Sequence, residues 1–276
     1  MKGTPAWSEY FAEDRLKMLS HVSLLDNITR EWAWEGGTGK GIKVAVIDSG
    51  IDAMHPALAG QVDGYVTIIT DKEGGITYDL SPHQDDFGHG TACAGIIRSI
   101  APECEIYSIK VLGASLSGRA NVFIAGLRWA IENGMHVCNL SLGTNKKDFF
   151  GILHELVDLA YFRNVILVAA ANNLPVPLFP SVYASVISVA SHAVQDPYCF
   201  YYNPEPPIEF GALGINVRVP WLKQGWVTST GNSYATPHMA GIITRILSKN
   251  PTLTPFQVKT VLCALATNVN YSQQDR

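Results

Sequence analysis

The 276-residue sequence predicts an α/β domain built on a doubly wound, mostly parallel β-sheet flanked by helices. Three observations lead there. Short apolar, β-branched runs recur along the chain, continuous rather than alternating, as strands buried on both faces require. Stretches of helical period separate these runs. Hydrophobic residues make up 47% against 16% charged, which supplies a sizeable core and argues against disorder.

Strands are expected over 43–47 (KVAVI), 105–111 (EIYSIKV), 135–141 (MHVCNLS), 165–171 (VILVAAA) and 186–191 (VISVAS). Helical patterns occupy about 89–99, 120–133 and 148–162, then 232–248 and 254–265. No repeat, low-complexity tract or linker divides the chain. Residues 1–40 read as an N-terminal segment and 41–276 as one domain. Within the segment, Ser8 can cap a short helix over 9–20, expected to pack on the domain or to lie across its cleft.

Composition narrows the function classes. A net charge of −4 and a pI near 6.0 leave no basic footprint, so no nucleic-acid partner is expected. No uninterrupted apolar run of roughly 18 residues is present, so no membrane span is expected. The first residues lack the basic-then-apolar layout of a secretory signal; with Met1 as the natural start, the expected location is cytoplasmic. The five cysteines are scattered without C-x-x-C spacing and read as buried reduced thiols, and no clustered ligands predict a metal site. The glycine-rich run Gly36–Gly41 precedes a strand and lacks Ser or Thr after Lys40, so it is a turn rather than a phosphate loop.

Open parallel sheets gather their chemistry at the carboxyl ends of the strands. Asp48 ends the run KVAVI, His89 stands between Gly88 and Gly90 at the start of a helical pattern, and Ser233 opens another after Gly231-Asn232. Each alone has an ordinary reading as a turn acid, a structural imidazole or a helix cap. Together, the order Asp, His, Ser on a parallel α/β sheet is one of the known orders of a serine nucleophile and its partners.

The local wording is more specific. VAVIDSGID, HGT and GNSYATPHMAG, with His55-Pro56, the strand end Asn139–Gly143 and VAAANN, resemble the signature segments of the subtilisin-like serine proteases (subtilases, peptidase family S8). The resemblance runs from about Gly41 to Ala266. It implies the subtilisin-like three-layer α/β/α fold and a serine endopeptidase with the catalytic residues Asp48, His89 and Ser233. It further implies an oxyanion hole made by the backbone N–H of Ser233 and the side chain of Asn173, with Asn172 as the competing assignment. An extended peptide or protein substrate is expected between Ser117-Gly118-Arg119 and Ser141-Leu142-Gly143, with Ala170, Ala171 and Asn172 completing the binding set. The enzyme is expected to be monomeric and to need no cofactor. Precursor processing is one role it fits; a peptide ligase using the same acyl-enzyme, or a catalytically weak peptide-binding protein, is the alternative.

Four departures from the family pattern stand out. The connection 98–104 is too short for the loop that holds a tight calcium ion in most relatives, so that site is expected to be missing. The proline-stiffened stretch 173–180 is shorter than the family's pocket wall, and Phe179 is expected to narrow the pocket. Tyr234 replaces an oxidation-sensitive methionine beside the nucleophile, which predicts tolerance of mild peroxide. Asn232 replaces a threonine whose hydroxyl assists the oxyanion hole.

Overall fold

The computed structural model describes residues 28–205 and 207–269. Nine strands form the main sheet: β1 (Lys43–Asp48), β2 (Gly64–Thr70), β3 (Ile76–Asp79), β4 (Glu105–Lys110), β5 (Val137–Leu140), β6 (Ile166–Ala170), β7 (Ile187–His192), β8 (Phe200–Tyr202) and β9 (Phe210–Leu213). Their spatial order is β3-β2-β4-β1-β5-β6-β7-β9-β8, parallel throughout except for the two edge strands β3 and β8. A separate antiparallel hairpin joins β10 (Val217–Trp221) to β11 (Gly225–Ser229).

Helices α1 (Arg30–Ala33), α2 (His89–Ile100), α3 (Ala120–Glu132), α4 (Phe150–Phe162), α5 (Asn232–Lys249) and α6 (Pro255–Leu265) cover both faces. All five expected strands and all five expected helices are present. The strand pattern explains the layering. Along β1, Val44 and Val46 enter one core with Ile97 of α2, Ile243 of α5 and Val258 of α6. Ala45 and Ile47 point the other way, into a second core with Leu127 of α3 and Leu156 of α4. Side chains alternate in direction along a strand, so a strand covered on both faces must be apolar at every position. The strands that sequence reading missed, β2, β3 and β8 to β11, are short or half-exposed and carry no such continuous run.

Residues 29–40, grouped with the N-terminal segment on sequence, are packed against the domain. Trp34 is buried beside Phe200, and Lys249 at the end of α5 donates to Glu31 O and Glu35 O. The 18 residues of α5 span about 27 Å, so this stretch lies at the opposite end of α5 from Ser233. The expected helix over 9–20 lies outside the described residues.

The strand order decides where a site can form. After β1 the chain builds β2 and β4 on one side, then returns to lay β5 against the other side of β1. The reversal leaves a crevice at the carboxyl end of β1, where Asp48 is the last residue.

Candidate active site

Asp48 and His89 meet in this crevice. His89 is the first residue of α2, and its Nδ1 lies 2.9 and 2.8 Å from the two carboxylate oxygens of Asp48. Both residues are buried. Burial disfavours the charged imidazole, yet the charge and hydrogen bond of Asp48, with help from Asp85, raise the His89 pKa above 6.5. The flanking glycines are required here. Gly88 has φ +107° and faces Trp221 too closely for a Cβ, while a Cβ on Gly90 would collide with Gly50 O.

Asp85 holds this constellation together, and sequence reading passed over it. Its Oδ1 accepts from Ser49 Oγ (2.8 Å), Phe87 N (2.9 Å) and Gly88 N (2.8 Å). Its Oδ2 accepts from Thr91 N (2.8 Å) and Thr91 Oγ1 (2.6 Å). One carboxylate therefore ties the turn after β1 to the first turn of α2, where free N–H groups favour an acid. The signal was present in Asp85-x-x-Gly88, an acid three residues before the glycine that caps the helix.

Ser233 is the second residue of α5. Four residues on stands Pro237, which has no N–H to give the Ser233 carbonyl. That carbonyl instead accepts from Ser141 Oγ at 2.8 Å, with Cys93 Sγ at 3.7 Å. Proline inside the helix thus frees an acceptor that fastens Ser233 to the end of β5. The Ser233 hydroxyl donates to Ser141 O at 3.1 Å. The ring of Tyr234 packs 5.5 Å from the His89 ring and is buried.

The two asparagines of VAAANN have different partners. Asn173 Oδ1 accepts from Asn232 N at 3.0 Å. A backbone N–H can only donate, so the amide oxygen faces Asn232 and the Nδ2 hydrogens face elsewhere. Asn172 Oδ1 accepts from Leu174 N at 3.0 Å in a local turn. Asn232, for its part, spends its side chain inward. Its Oδ1 accepts from Ser191 N and Ser191 Oγ, both 2.9 Å, and its Nδ2 donates to Ala171 O and Asn172 O. Its Nδ2 is turned to these two carbonyls, so Asn232 joins the ends of β6 and β7 to α5.

Ser117, Gly118 and Arg119 line one side of a groove of about 380 Å³ whose other side is Ser141, Leu142 and Gly143. Ala170 and Ala171 are buried at the end of β6. Residues 174–178, with Ala171 and Asn172, line a second cavity of about 470 Å³, largely apolar. Phe179 does not narrow it. Its ring turns away to pack on Phe150 and Tyr183, while its backbone pairs with Thr144, and Leu178 lines the cavity instead. Aromatic packing between α4 and the 179–183 turn outweighs exposure in the pocket.

Among the described residues, one trio of metal-ligating side chains is close enough to share an ion: Asp48, His89 and Cys93. Cys93 is buried, its Sγ 3.9 Å from Asp48 Oδ2 and 3.4 Å from Ser141 Oγ. Burial and the Asp48 charge push its thiol pKa well above the ordinary range, so it sits there as a protonated donor rather than a thiolate ligand. All five cysteines are unpaired; four are buried and Cys263 is partly so.

An acid–imidazole pair at a switch point, beside a serine in the first turn of a helix, places the molecule among serine hydrolases on a doubly wound sheet. The chain belongs to the subtilase family, peptidase family S8, whose sequence profile matches residues 39–276. It is 36% identical over 250 residues to the minor extracellular protease Epr of Bacillus subtilis, covering 85% of this chain and 36% of Epr. Subtilisin Savinase of Lederbergia lenta is 34% identical over 245 residues, 85% of this chain and 86% of that protein. The solved structure of S41 psychrophilic protease superposes with a TM-score of 0.70 at 27% identity, covering 82% of this chain and 83% of that one. The chain thus spans little more than a third of Epr and most of Savinase.

Proposed function

We propose that the chain is a serine endopeptidase that hydrolyses peptide bonds through an acyl-enzyme on Ser233. The observation that carries this reading is the buried Asp48–His89 pair at the crevice that the Ser233 end of α5 borders. Rotation about the Ser233 Cα–Cβ bond transfers its hydroxyl from Ser141 O to His89 Nε2, a bond that often forms only with substrate bound. His89 then takes the hydroxyl proton as Ser233 attacks, and returns it to the leaving amine. Asp48 fixes the ring with its Nδ1–H inward and stabilises the imidazolium.

The tetrahedral oxyanion is taken up by the Ser233 N–H, which has no intrahelical acceptor in the first turn, and by Asn173 Nδ2. The tether from Asn232 N to Asn173 Oδ1 supports Asn173 over Asn172, because it turns the Asn173 amide hydrogens outward beside the nucleophile. The substrate is an extended peptide lying between 117–119 and 141–143, whose groove has two backbone walls. Folding is taken to be independent of a calcium ion at the α2–β4 connection. The residues there do not fit one: Arg98 already donates to Pro102 O and Cys104 O at 2.8 Å, and a second cation beside that guanidinium would be repelled.

A fluorophosphonate probe should label Ser233 and no other serine, and Ser233→Ala should cut kcat for peptide hydrolysis by roughly a millionfold, the size known for a subtilisin. Asn173→Ala should lower kcat by about 10²–10³, again a subtilisin value, with KM little changed. Equal losses from Asn172→Ala would overturn the oxyanion assignment. A protein that binds peptides but takes no label would overturn the enzyme reading.

A further inference from the structure

The groove between 117–119 and 141–143 has a charge pattern that its role in holding backbone does not require. Its floor is apolar, with Leu112, Leu116, Phe123 and Leu142. Two cations, Arg119 and Lys146, stand on its opposite walls, both exposed. None of the residues lining it is acidic. Among the described residues, neither cation has a carboxylate within ion-pair distance, although the chain as a whole carries net charge −4.

A third positive feature faces the same space. Arg119 is the N-cap of α3, and no acid stands in that helix's first turn, so the positive end of a 13-residue dipole is left uncompensated. On a protein with an acidic balance, two cations that no described carboxylate pairs and a bare helix start converging on one apolar-floored groove form a local positive field.

We propose that this groove selects an acidic side chain of the substrate, with Arg119 and Lys146 as its specificity residues. The leucines cover the methylene stem of a glutamate while its carboxylate reaches the rim between the two cations. The inference rests on the endopeptidase reading above and refines it, because a peptide held between these two segments must pass its side chains over this floor.

A degenerate peptide library, digested by the wild-type chain and read by mass spectrometry, tests it. Asp and Glu should be enriched at one position removed from the cleaved bond. For a matched Glu/Gln peptide pair the kcat/KM ratio should be about three- to tenfold, the size of two exposed charge pairs. The ratio should shrink as salt is raised from about 0.05 to 0.5 M. In Lys146→Glu and Arg119→Glu it should fall toward one, and in the double variant it should drop below one. Both positions are exposed, and the melting temperature of each variant reports that the fold is intact. Cleavage without any acidic preference, or a preference that survives the double substitution, overturns the proposal while leaving the protease reading in place. An absence of cleavage together with an unlabelled Ser233 removes both.

Discussion

At the residue scale, opposing forces on His89, the proposed general base, make a pH prediction. Burial lowers the His89 pKa, but the Asp48 carboxylate in contact with Nδ1 prevails, and the net shift is upward from 6.5. Only neutral His89 can accept the serine proton, so kcat/KM should rise with pH through a midpoint above 6.5. Stability follows the opposite sign. A histidine whose folded pKa is raised contributes stability that is complete below the unfolded value and lost as pH rises through the folded one. Over the window where activity appears, the His89 contribution to stability should therefore fade. A pH–rate profile and melting curves on either side of neutrality check both signs, and an acid limb below 6.5 would contradict the electrostatic account. The three side chains of the proposed triad stand out in the sequence because each lies in a short motif at a strand or helix end. The role of Asn232 does not, since its partners Ser191 and Ala171 are 41 and 61 residues away.

At the scale of elements, the segment between β3 and α2 is tied to its neighbours by His83, Asp85 and Asp86, the last paired with Lys110 of β4. His83 bridges Thr67 Oγ1 at 3.0 Å and Ser108 Oγ at 2.8 Å, linking the segment to β2 and β4. Burial and the nearby Lys110 lower its pKa to about 4, so it bridges as a neutral ring. Asp85 does the heavier tethering, and its removal has a definite cost. Asp85→Ala would strand Ser49 Oγ, Phe87 N, Gly88 N and Thr91 N in a buried site, which should lower the unfolding free energy by roughly 3–5 kcal/mol. Denaturant unfolding measures this directly, and a loss below about 1 kcal/mol would show that water replaces the carboxylate at little cost. Helix α2 itself was readable from its apolar period. The acid that docks it was not, because a carboxylate among loop residues looks like any solvated turn acid until its donors are known.

At the scale of the whole molecule, the sheet, both helical layers and the placement of the site at one edge form a single unit. The connection from α2 to β4 comprises only Ala101 to Cys104, and the Arg98 guanidinium binds its carbonyls together with Gln61 O. The melting temperature should therefore be unchanged by excess chelator, and a fall of many degrees would show that a bound cation is part of the fold. The succession of buried strands and covering helices, and the candidacy of Asp48, His89 and Ser233, can be read from the chain alone. These are written in contiguous residues: unbroken apolar runs, helical periodicity, and glycines beside chemistry-bearing side chains. Which groups meet across the fold is set by packing alone. It turned Phe179 toward Tyr183 rather than into the cavity, set Cys93 beside Asp48 as a silent thiol, and bound the Ser233 carbonyl to Ser141, 92 residues away. Such contacts depend on packing between elements that lie far apart along the chain, and no local pattern records them.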